Sequence, residues 1–251
     1  VPIVADWCDR AAYAPLLVGD RSCFAWEWLR RSDAYADAWA AGGSGPGRFG
    51  LLRLEDPALG APACRPFWRG DIDRAVLLGE ARPAEVDGSF DLARFAALAT
   101  RLPGEAGSGA AEHVLLSDGV RSIRIDLLSG TLAAGPVALR WRIDGLAEAG
   151  PPLMALRRLG ALARHGRFAL SLHPPERRAR RWVQMLRVHD ALAAGATHRE
   201  IVGRLFDIDV AGPGWRAAFG PWRLRVQRLA AGARVCLMLG PAGWLGGEDE
   251  L

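Results

Sequence analysis

Residues 189–207 read HDALAAGATHREIVGRLFD, and they place His189, Asp190, Thr197, His198, Glu200 and Asp207 within nineteen positions. Such a cluster is either a catalytic group or the end of one helix followed by the capped start of another. The spacing favours the helices. Gly195 follows Ala194 as a glycine follows a helix that ends in a left-handed turn. Thr197 and Glu200 then form a T-x-x-E capping box, in which each side chain satisfies a backbone amide of the other. Ile201, Val202, Leu205 and Phe206 give the second helix a short apolar face. His189 falls in line with Trp182, Val183 and Leu186, an inward position, while His198 sits exposed in the first turn, free to meet a phosphate or nothing.

Toward the C-terminus, GPWRLRVQRLAAGARVCLML (220–239) predicts a further helix. Pro221 suits its first turn. Trp222, Val226, Leu229, Ala233, Cys236 and Leu237 form its apolar stripe. Arg223 lies on a neighbouring stripe, and Arg225 and Arg228 point away from the core. Helix, tight turn, capped short helix and arginine-studded helix make a helix-turn-helix-like order, although residues 207–220 are longer than the usual 3–4-residue turn. Toward the N-terminus, ERRARR brings Arg177, Arg178, Arg180 and Arg181 to the start of a helix expected from Pro174–Pro175 to about Ala194. The macrodipole disfavours positive charge there, so a phosphate or an acidic partner would neutralise it.

The rest of the chain divides by period. Residues 24–39 and 151–166 repeat at helical spacing, the first with a break near Ser32. Residues 90–102 are read as a helix as well, and 75–78 as a short strand. In VRSIRIDLL and VALRWRID the period falls to two, which predicts an antiparallel meander with one buried and one wet face. The expected fold is α+β: an N-terminal helical segment (1–42), a central β-rich scaffold (64–150) and a C-terminal helical bundle (151–251).

Composition bounds the chemistry. All 32 basic residues are arginine, and neither Lys nor Asn occurs among the 251. That removes the P-loop lysine, the lysine Schiff base and the Ser-Lys dyad. Four scattered cysteines form no C-x-x-C pair, so no zinc ribbon is expected. No H-E-x-x-H, nucleophile elbow or glycine-rich phosphate loop appears. Neither a secretion signal nor a bilayer-spanning run is read. Residues 151–251 hold 16 arginines against 8 acids, which suits a polyanion.

The stretch LRVHDALAAGATHREIVGRLF, then a tryptophan and RLRVQRLAAGARVCLMLG, resembles the DNA-binding domain of RovC-like type VI secretion transcription factors. The matching positions are Gly195, Ala196, Thr197, Arg199, Glu200, Ile201, Leu205 and Phe206, then Trp215, Leu224, Arg225, Val226, Arg228 and Leu229. FAWEWLRRSDAY and RPFWRGDIDRAVL are similar to the regulator-like segment that accompanies it. The resemblance implies a bacterial, cytoplasmic, DNA-binding regulator, oligomeric and without cofactor or enzymatic activity. Arg223, Arg225 and Arg228 are the expected groove or phosphate contacts, helped by Arg199, Thr197 and Arg204. Two rivals stand beside double-stranded DNA recognition: a protein-interaction module using the same basic face, and a hydrolase built from scattered His, Asp and Glu.

Overall fold

The computed structural model describes residues 6–43, 45–84, 89–104, 109–210 and 220–246. Two apolar cores organise them. A 3-10 turn at Ala11–Val18 leads into α1 (Arg21–Leu29), whose cap Asp20 accepts a bond from the Cys23 amide. The backbone breaks at residues 30–32, as expected near Ser32, and α2 (Asp33–Ala40) follows.

The sheet comprises β1 (Leu77–Pro83), β2 (Ala99–Pro103), β3 (Glu112–Ser117), β4 (Ser122–Ser129) and β5 (Val137–Arg142), in the order β2-β3-β4-β1-β5. It is mostly antiparallel, with one departure from a simple meander. β1 lies between β4 and β5, parallel to the first and antiparallel to the second. α3 (Gly150–His165) covers one face of the sheet, its Ala155, Leu159 and Leu162 packing on the core of Leu77, Ile125 and Leu127.

Two local expectations fail here for physical reasons. Residues 90–102 are not a helix: Leu92–Phe95 make one 3-10 turn and β2 begins at Ala99. Pairing with β3 supplies hydrogen bonds that outweigh a weak helical pattern. The wet face expected of β4 is also covered. Arg124 and Asp126 are 4% and 7% exposed, because they pair with each other and because Phe67 lies under the Arg124 guanidinium. β5, at the sheet edge, keeps its alternation of inward and outward residues.

The second core is helical and joins the two ends of the sequence. α4 (Ala179–Ala193), α5 (His198–Phe206), α6 (Gly220–Met238) and α7 (Gly240–Leu245) pack with α1. α4 begins four residues later than the prolines suggest. Arg177 and Arg178 form a turn first. Phe24 of α1 meets Trp182 of α4 edge-on at 4.9 Å, and Trp182 meets Trp244 of α7 at 4.8 Å. A buried ionic group ties the same elements together. Arg31 donates to both carboxylate oxygens of Asp190 at 2.7 Å, and the Tyr13 hydroxyl donates to Asp190 at 2.6 Å. Glu27 completes it by accepting from Arg30 and Arg31. Burial alone would raise the Glu27 carboxyl, but the Arg31 and Arg30 charges outweigh it and hold it below its ordinary value.

Candidate nucleic-acid interface

The junction between α4 and α5 is built as its residues dictate. Gly195 adopts φ 81°, its amide donates to Leu192, and the Ala196 amide donates to Ala191, which closes α4 with a Schellman turn. Thr197 caps α5. Its backbone amide donates to Glu200 Oε2 at 2.7 Å, and its hydroxyl accepts from the Glu200 amide at 3.3 Å. The bonds from Thr197 hold the exposed Glu200 carboxyl below its ordinary value. α5 ends at Asp207, left-handed at φ 53°. Arg199 then fastens the chain beyond α5, donating Nε and Nη2 to the Val210 carbonyl at 2.9 and 2.5 Å.

α6 crosses both preceding helices. Val226, Leu229, Ala230, Ala233 and Cys236 are its buried face. Trp222 is half-buried and packs on Phe206 of α5, with ring centroids 5.1 Å apart. The Arg225 guanidinium lies over Phe206 at 4.5 Å and over Trp222 at 5.4 Å. Its body is thereby braced while the residue remains exposed. Arg228 is exposed and Arg223 half-buried, and neither has an acidic partner among the described residues. Arg204 of α5 is likewise exposed and without an acidic partner there.

The expected site residues are thus distributed unevenly. Arg223, Arg225 and Arg228 share the N-terminal half of α6. Thr197 is committed to its cap, and Arg199 is half-buried at Val210. Trp215, in residues 211–219, lies outside the described residues.

The four arginines at the start of α4 are all exposed and form no ion pair among the described residues. The Arg181 charge acts on Cys236, and Met185 of α4 touches Cys236 at 4.0 Å. This cluster therefore lies beside the far end of α6, thirteen residues from Arg223, or about 20 Å along the helix.

His189 and the carboxylates of residues 189–207 have structural partners. His189 is half-buried with its ring edge-on to Trp28 at 5.8 Å. Burial holds its imidazole below its ordinary value, with the Arg31 charge adding to burial and Asp190 opposing it. Asp190 belongs to the buried Arg31 pair, and Asp207 pairs on the surface with Arg10. Sequence reading found neither the Arg31–Asp190 pair nor the seat of Arg225 on aromatic rings. The second left a signal, since Trp222 and Arg225 are three residues apart on one helix.

Residues 147–240, which span α3 to α6, match the family model described as the DNA-binding domain of a T6SS transcription factor. Residues 6–50, which span α1 and α2, match a proteobacterial transcriptional regulator-like domain. The chain is a transcriptional regulator with a DNA-binding domain. In this regulator the first match divides between the two cores, because α3 packs on the sheet while α4, α5 and α6 pack with α1. Residues 51–146, which carry the sheet, fall outside both matches. No curated protein and no solved structure matches the regulator. Among its described residues no helix is long and apolar enough to cross a membrane.

Proposed function

We propose that the regulator binds duplex DNA through α5 and α6, with the N-terminal half of α6 in the major groove. The observation that carries this reading is the outer face of α6, where Arg223 and Arg228 have no acidic partner among the described residues. A guanidinium in the major groove reads guanine through O6 and N7 with two parallel bonds. Arg225, seated on Phe206 and Trp222, loses less rotamer freedom on binding than a free arginine would. Arg199 and Arg204 serve the phosphate side along α5, and Thr197 supports them by fixing the start of that helix through its cap. Arg177, Arg178, Arg180 and Arg181 would reach backbone phosphates from the other end of α6.

On this reading residues 151–251 are the DNA-binding domain, 64–150 the scaffold, and 1–42 a segment for regulation or self-association. The regulator works in the cytoplasm as a homo-oligomer, needs no cofactor and catalyses no reaction. One observation favours a second reading. Leu224, Val235 and Met238 of α6 are 45%, 56% and 82% exposed beside the arginines. That combination suits an acidic amphipathic helix of a protein partner.

Competition separates the two readings. Labelled duplex from upstream of the regulator's own gene is bound, then challenged with unlabelled duplex. Specific DNA recognition predicts displacement by that duplex well ahead of a scrambled one, and a loss of that preference in Arg228→Ala. If the upstream duplex is not retained even at low salt, the protein-interaction reading replaces it.

A further inference from the structure

A cleft of about 400 Å3 opens where the sheet meets the exit from α3, and it shares no residue with α5 or α6. Phe95 and Phe168, 3% and 8% exposed, give it apolar walls. Three arginines line it, Arg94, Arg121 and Arg167, against one acid, Asp118. Arg121 already donates to Asp118 at 2.8 Å. Arg94 and Arg167 are exposed and have no acidic partner among the described residues, so the cleft keeps a surplus of two positive charges. The Arg121 Nε is buried with no hydrogen-bond partner among those residues, a donor whose burial is costly until an acceptor reaches it.

His173 stands behind Phe168, edge-on at 5.3 Å and almost fully buried. Burial pushes its imidazole down to about 4, and the charges of Arg158 and Arg121 act with it against Asp118. It therefore stays neutral at physiological pH and leaves the arginines as the cleft's charge.

The volume falls in the range of small-molecule sites, about 300–1,000 Å3. Arginine forks match carboxylate geometry, and buried phenyl walls reward an apolar body more than a hydrated backbone phosphate. We propose that this cleft binds a small carboxylic acid with an aromatic or otherwise apolar body, held at its carboxylate by Arg94 and Arg167. Its walls are well placed to report occupancy. The turn that carries Asp118 and Arg121 also carries Gly119 and Val120, whose carbonyls lie at the Cys23 thiol of α1. The opposite wall, Gly166–Phe168, begins the connection to α4.

The test needs no DNA and so stands apart from the DNA-binding reading. Calorimetry on the full chain would compare 2-naphthoate with 2-naphthamide, which lacks the charge, and with inorganic phosphate, which lacks the body. The proposal expects naphthoate to bind at least about tenfold more tightly than either control, and Arg94→Ala/Arg167→Ala to weaken it at least about tenfold. Ala97→Trp, an exposed position lining the cleft, would block binding with the melting curve unchanged. No naphthoate binding at about 1 mM, equal binding of either control, or full binding by either variant would overturn it.

Discussion

Asp190 accepts from Arg31 and Tyr13 in the centre of the helical core, so its removal leaves two buried Arg31 nitrogens and the Tyr13 hydroxyl without an acceptor, with Glu27 alone facing the Arg31 charge. Asp190→Ala is expected to cost about 3–5 kcal/mol in urea unfolding, and a loss below about 1 kcal/mol would show that the pair is dispensable. Asp20 makes a second prediction, with pH as the variable. Burial pushes its carboxyl up to about 6 from 3.8, although the Cys23 amide favours its charged form. The folded chain therefore holds this proton more tightly than the unfolded one. The Asp20 contribution is fully present below the unfolded value and is lost as pH rises through about 6. Asp20→Asn keeps an N-cap of similar quality and removes the titration. The melting temperature of the wild type should gain on the variant as pH falls from about 7 to about 4. A constant difference across that window would contradict the assignment. These residues differ in how far the sequence could reveal them. Thr197 and Glu200 announce their box because both partners lie within four residues. Arg31 and Asp190 are 159 positions apart, and no local pattern joins them.

At the level of elements, the α4–α6 crossing is set by Gly232, where a β-carbon would overlap the Met185 methyl. Gly232→Ala should be nearly neutral, since the helix gains about 1 kcal/mol in propensity while the flexible Met185 tip moves aside. Gly232→Val should cost about 1–3 kcal/mol by thermal unfolding, because two further methyl groups meet the same side chain. Equal stability of the two variants would mean that the crossing is looser than this packing implies. Helices α3 to α6 were legible because their buried residues recur at three and four positions, and turn glycines or prolines punctuate them. The segment 90–102 was not. Its Phe90, Leu92, Phe95, Leu98 and Leu102 fit a helical face, but β3 offers a strand partner that no spacing reveals. The place of β1 between β4 and β5 was hidden for the same reason. Strand order is a long-range property, whereas alternation is a local one. The arginines of α6 were legible as an outward stripe, but the aromatic seat of Arg225 depends on how α5 and α6 meet.

For the whole molecule, the shared helical core means that the two matched regions do not fold apart. Phe24, Trp182 and Trp244 come from the N-terminal segment, α4 and α7 and contact one another. A fragment of residues 147–251 should lose the near-ultraviolet dichroism of these rings while keeping helical far-ultraviolet signal, and adding residues 1–50 in trans should not suffice without the sheet. A fragment with native-like near-ultraviolet dichroism would contradict the shared core. The same arrangement places the exposed arginines of α6 and those at the start of α4 on helices that one core holds together. Charge asymmetry in the sequence pointed to this half of the chain, but only the packing set the two groups at opposite ends of α6. The most direct test of DNA recognition by α6 is the salt dependence of duplex binding, read by fluorescence anisotropy. Wild type should lose affinity with rising salt at a slope of about −0.9 per neutralised phosphate, and Arg223→Ala/Arg225→Ala/Arg228→Ala should bind more weakly with a shallower slope. A triple variant with the wild-type affinity and slope would contradict the assignment of α6 to DNA.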